Sequence, residues 1–174
     1  MRKLFIPMML IVIGLIGCSS GVKNETPLPN SIEGMQLKKV YTGSQALEMV
    51  KQLHQKPVTS QDTYVGEYED KDYNAKMYVT EYQSPDSAVA TLEQMAGAMM
   101  NPHGGGASAM GFQHVRKLDK YGAHVYMALQ GSRAHYFYVQ GNKLYWLDID
   151  PHVAMSAMET LVGTKAPADS TMMH

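Results

Sequence analysis

The sequence predicts an α+β fold: an antiparallel sheet of about six strands with about three helices packed on one face. Three observations carry that expectation. Residues 62–70 and 74–82 alternate apolar and polar in the strand manner around a polar turn. Four further alternating segments follow one another through tight turns between 112 and 149. Helical apolar spacing appears three times, each time behind a start signal.

In chain order, residues 19–34 (SSGVKNETPLPNSIEG) are polar, carry two prolines and two glycines, and show no periodicity. They read as a flexible tether, about 50 Å long if extended at roughly 3.3 Å per residue. A short strand over 36–41 opens the domain. Thr42-Gly43-Ser44-Gln45 has the spacing of a capping box. Ala46, Leu47, Val50 and Leu53 follow at helical intervals, and Pro57 stops the helix. After the 62–82 hairpin, Ser84-Pro85-Asp86 supplies a cap followed by proline at the first helical position. Val89, Leu92, Ala96 and Met99 make that helix's buried stripe, and Asn101-Pro102-His103 ends it before a Gly-rich loop at 104–111.

The meander strands are 112–118, 122–130, 134–140 and 143–149. Asp150-Pro151 then caps a last helix with Ala154, Ala157, Met158 and Leu161 on one face and Gly163 just past its end. Lys76-Met77-Tyr78, Pro85 and Leu92-Glu93 are echoed by Lys143-Leu144-Tyr145, Pro151 and Met158-Glu159. A repeated ββα unit is one account of the echo. Two segments obeying the same local rules is the other.

Two-residue loops at Lys120-Tyr121, Gly131-Ser132 and Gly141-Asn142 define a register for the meander. One face then carries the rows Phe112–Leu129–Ala134–Ile149 and His114–Met127–Tyr136–Leu147. Being the more aliphatic, it is the face expected under the helices. The opposite face carries Val115–Tyr126–Phe137–Trp146 beside Gln113–Ala128–His135–Asp148. Left open, Tyr126, Phe137 and Trp146 form an apolar patch of the kind that marks a binding surface, flanked by His135 and Asp148. Cover by the Gly-rich loop, the first helix or a partner, or simple cross-strand packing, is the heavier expectation.

The first residues stand apart from this domain. Arg2 and Lys3 precede an almost unbroken apolar run over 4–16, and Leu15-Ile16-Gly17-Cys18 closes it. The run is shorter than the roughly 18–20 residues that span hydrocarbon and contains Pro7. It has the charge, length and small-residue exit of a secretory signal. Leu15-Ile16-Gly17-Cys18 resembles the lipobox of bacterial lipoproteins. That resemblance implies removal of residues 1–17, diacylglyceryl on the Cys18 thiol and acylation (palmitate or similar) of the new amino terminus. Two or more chains anchor stably where one is marginal. The implied organisation is 18–34 as lipidated cysteine and tether, 35–165 as one domain, and 166–174 as a tail. Ser19 is compatible with the periplasmic face of the outer membrane in a host with two membranes.

Composition narrows the function further. Removing Arg2 and Lys3 from 15 Lys+Arg against 16 Asp+Glu leaves the mature chain acidic by three, with no basic block. Nucleic acid is therefore not an expected partner. Cys18 is the single cysteine, so no internal disulfide can form.

Candidate chemistry is sparse. His135 and Asp148, paired across strands, could orient an imidazole as a base, but no nucleophile or G-x-S-x-G elbow accompanies them. A hydrolase is the distant alternative, and no enzyme is expected. Met95, Met99, Met100, His103 and Met110 lie close in sequence, and thioethers with imidazole suit Cu(I). Met99 also belongs to the stripe its helix must bury, and methionine commonly fills cores. Copper is the alternative to no cofactor. Gly104-Gly105-Gly106 leaves a helix and enters a strand, the reverse of a phosphate-binding loop. The expectation is a lipid-anchored extracytoplasmic protein with a binding or scaffolding role at the cell envelope. Its partner is an envelope protein or a small ligand.

Overall fold

The computed structural model describes residues 26–53, 62–101, 111–122 and 124–163. Eight strands form one antiparallel sheet: β1 (Ser31–Ile32), β2 (Met35–Thr42), β3 (Asp62–Glu69), β4 (Asn74–Glu81), β5 (Gln113–Lys117), β6 (Val125–Gln130), β7 (Arg133–Gln140) and β8 (Lys143–Ile149). Their order is β1-β2-β3-β4-β8-β7-β6-β5. The helices are α1 (Gly43–Leu53), α2 (Pro85–Met100) and α3 (Pro151–Val162). The class is α+β, as the alternation and element order require. No described helix is long and apolar enough to cross a membrane.

Local chemistry accounts for the element boundaries. Ser84 caps α2 by accepting from the Ser87 amide at 3.2 Å, with Pro85 behind it. Asp150 caps α3 by accepting from the His152 amide at 2.9 Å, and Gly163, at φ +77°, closes it. Gly131 and Gly141, at φ +56° and +59°, occupy the first position of two-residue turns, where a side chain would be strained.

The helices do not share one face. α3 packs Ala154, Ala157 and Met158 against Met77, Tyr136, Tyr138, Leu147 and Ile149. α2 lays Ala88, Leu92, Ala96 and Met99 on the opposite side, over Tyr126, Phe137 and Trp146. α1 joins α2 there, packing Ala46 and Val50 on Val65. The reason is that both faces are apolar. Leaving the aromatic row wet would forfeit about 1.5–3 kcal/mol per ring. The result is three layers.

The internal echo therefore does not describe a unit packed twice. Met77 and Leu144 correspond in it, yet Met77 lies in the α3 layer and Leu144 in the α2 layer. The two segments share punctuation but present opposite faces.

The domain also starts earlier than expected. Glu33-Gly34, both at positive φ, turn β1 into β2 within the stretch assigned to the tether. Leu28 and Ile32 are buried in the α3 layer, and the Tyr68 hydroxyl donates to the Pro29 carbonyl at 3.0 Å. The chain between Cys18 and Thr26 then spans at most about 26 Å at roughly 3.3 Å per residue.

Candidate functional site

The expected register holds across three of the four meander strands. Tyr126–Phe137–Trp146, Ala128–His135–Asp148 and Met127–Tyr136–Leu147 are direct cross-strand neighbours. It fails at β5. A bulge between Gln113 and Arg116, with His114 at φ +53°, sets Gln113 opposite Leu129 and Lys117 opposite Tyr126. A 3-10 turn over Asp119–Tyr121 replaces the expected Lys120-Tyr121 hairpin. Val115 and His114 thus leave the rows assigned to them.

Tyr126, Phe137 and Trp146 are 3%, 0% and 4% exposed. They form a core under α2 and not an open patch. Tyr126 also ties α2 to the sheet, its hydroxyl donating to Glu93 Oε2 at 2.5 Å while His124 Nδ1 meets Glu93 Oε1 at 2.9 Å. These bonds, that from Tyr126 first, hold the Glu93 carboxyl below the usual carboxylate range.

His135 and Asp148 do face each other, but not as a catalytic pair. The Trp146 indole N–H donates to His135 Nδ1 at 3.0 Å. An indole nitrogen is a donor only, so Nδ1 must be the accepting nitrogen and the proton of the neutral ring sits on Nε2. Asp148 Oδ1 instead accepts from Arg133 Nε at 2.6 Å, and Arg133 Nη2 reaches the Asn74 carbonyl at 3.1 Å. A carboxylate that orients a base would accept from Nδ1–H, which the indole precludes. Burial pushes the His135 pKa down; the Asp148 charge opposes this and Arg133 adds to it.

His135 is 3% exposed, and its Nε2 has no hydrogen-bond partner among the described residues. It lines a crevice of about 270 Å³ on the α1–α2 side of the sheet, with Gln52, Tyr78, Phe112, Gln130, Trp146 and Asp148. Phe112 stands edge-on to the imidazole at 5.1 Å, and Tyr78 lies 5.7 Å from the indole. Gln52 and Gln130 are exposed at the rim, while Tyr78 and Asp148 are half-buried. No family model, no curated protein and no solved structure matches this chain.

Beyond Asp148 the same face carries a row of alternating charge. Lys39, Glu67, Lys76, Asp148 and His135 are successive cross-strand neighbours on β2, β3, β4, β8 and β7. Lys76 and Glu67 pair at 3.0 Å. This row leads into a second, charged groove of about 620 Å³ that shares Asp148 with the crevice.

Gln52, Tyr78, Phe112, Gln130 and Arg133 are site residues that sequence reasoning missed. Arg133 carried a signal, lying two residues before His135 and hence on the same strand face. Tyr78 carried none, because it reaches Trp146 only through the β4–β8 pairing.

The methionine cluster divides. Met99 is buried against the sheet and Met95 packs beside it, whereas Met100 is exposed at 48%. Met99 and Met100 therefore do not face one ion. His103 and Met110 lie outside the described residues, as does Cys18.

Proposed function

We propose that this is a lipid-anchored extracytoplasmic protein whose domain binds and does not catalyse. Lipid on Cys18 holds it at the membrane, and the crevice at His135 receives a small ligand or a side group of an envelope partner. The observation that carries the binding half is the buried His135, whose Nε2–H has no acceptor among the described residues at the edge of a crevice. An unsatisfied buried donor costs about 1–3 kcal/mol, which an acceptor brought by a ligand would recover. Support for a non-catalytic role comes from the two partners of the candidate dyad, each committed elsewhere.

The anchor half rests on the lipobox resemblance and is tested separately. Cys18→Ser is expected to move the protein from the membrane fraction to the soluble extracytoplasmic fraction without changing its circular dichroism. Retention of the variant in membranes that resist alkaline washing would overturn the lipid assignment.

A further inference from the structure

We infer that the His135 crevice takes a neutral, ring-shaped ligand that presents an acceptor oxygen to His135 Nε2–H. This rests on the crevice being a binding site, and adds the chemistry of what it binds. Neutrality follows from the charges around it. Among the described residues no Lys or Arg lines the crevice, and the one carboxylate among them, Asp148, is matched by Arg133 at 2.6 Å. Lys76, the next cation along the sheet, is matched by Glu67 at 3.0 Å. An incoming ion of either sign would shed water without gaining an unpaired counter-charge.

The acceptor requirement follows from the tautomer. With Nδ1 occupied by the Trp146 indole N–H, the imidazole offers only a donor to a ligand. A ring follows from the walls, since Tyr78, Phe112 and Trp146, tilted against one another by 46° and 56° at the indole, offer aromatic contact to a compact cyclic body. The volume, about 270 Å³, lies near the lower end of small-molecule sites and fits a single ring better than an extended chain. Gln52 and Gln130 at the rim carry carboxamides that can both donate and accept.

Nε2 lies beneath the crevice surface, so a neighbour must yield for an oxygen to reach it. Phe112 is the neighbour suited to do so. It sits edge-on to the imidazole immediately before the bulged strand β5, which among the described residues pairs with β6 alone. Two ligand sources share this chemistry, a pyranose with its hydroxylated rim and an aromatic carboxamide.

Trp146 is the only tryptophan, so its fluorescence reports on this place alone. The full chain carrying Cys18→Ser would be titrated with N-acetylglucosamine, benzamide, benzoate and benzylamine, with and without His135→Phe. Saturable change with N-acetylglucosamine or benzamide, weakened about tenfold in His135→Phe, is the expected result. Which of the two responds identifies the source. Equal or tighter His135-dependent binding of benzoate or benzylamine would overturn the ligand class and leave the crevice a binding site. Saturation by no probe, or binding unchanged in His135→Phe, would overturn the crevice itself as that site. Should His135→Phe not fold, the imidazole ¹⁵N resonances of the unsubstituted ring decide. A shift of the Nε2–H signal on adding the neutral probe supports the inference, and an unmoved signal refutes it.

Discussion

His135 shows how one hydrogen bond determines a residue's chemistry. The indole of Trp146 takes Nδ1 and thereby selects the tautomer. Burial disfavours the charged ring, so the unfolded chain, titrating near the ordinary 6.5, binds more protons than the folded one as pH falls. Stability is therefore complete above about pH 6.5 and declines below it, by at most about 1.4 kcal/mol per pH unit. The urea midpoint is expected to be lower at pH 5 than at pH 7.5, with a smaller difference in His135→Phe. An identical difference in the variant would assign the acid sensitivity to other groups. Met99 and Met100 make a second contrast. Met99→Ala should cost about 2–5 kcal/mol in urea unfolding, because its thioether fills the space between α2 and the sheet. Met100→Ala should stay within about 0.5 kcal/mol. Similar losses at both positions would contradict the packing.

At the scale of elements, the β1–β2 turn is the instructive one. Glu33 holds φ +47°, a conformation that disfavours a side chain, in a two-residue turn usually filled by Asn-Gly. Its carboxylate accepts from Ser156 at 2.5 Å and from Thr160 at 2.9 Å, so the strained turn is clasped to α3. Glu33→Asn relieves the strain and removes the clasp. Glu33→Ala removes the clasp and keeps the strain, and should be the less stable of the two by about 1 kcal/mol in urea unfolding. The reverse order would mean that the positive φ at position 33 carries no strain. In β3, a Cβ on Gly66 would meet Tyr68 Cε2 at 2.9 Å and Leu37 Cδ1 at 3.0 Å. Tyr68 is buried and bonded to Pro29, so Gly66→Ala should cost about 1–3 kcal/mol and loosen the amino-terminal cover. Faster amide exchange over β1 would report that loosening.

For the molecule as a whole, packing helices on both faces of the sheet leaves a crevice beside His135 in place of an open aromatic surface. With the domain starting earlier, a lipid on Cys18 would hold Thr26, the first described residue, within about 26 Å of the membrane, where a tether reaching to residue 34 would allow about 50 Å. The first described residues are part of the core. Leu28→Ala is expected to destabilise the domain by about 2–4 kcal/mol in urea unfolding, whereas a detached tether would show no change.

Local rules were legible along the chain wherever they act within a few residues. Ser84-Pro85 and Asp150-Pro151 start helices because a side-chain oxygen and a pre-set φ act within a few residues. Gly131-Ser132 and Gly141-Asn142 lock the register of β6, β7 and β8, placing His135 beside Asp148. Where a turn departs from the common types, as at Asp119–Tyr121, or fills a common one with an unusual residue, as at Glu33-Gly34, the local signal failed and with it the β5 register and the domain start. Which layer each helix joins emerges from the packing alone, because two apolar faces compete for the same helices and alternation along a strand cannot rank them. The crevice belongs to that second category. Its walls come from α1, β4, β6, β7, β8 and the approach to β5, and contacts so distant along the chain leave no periodicity to read.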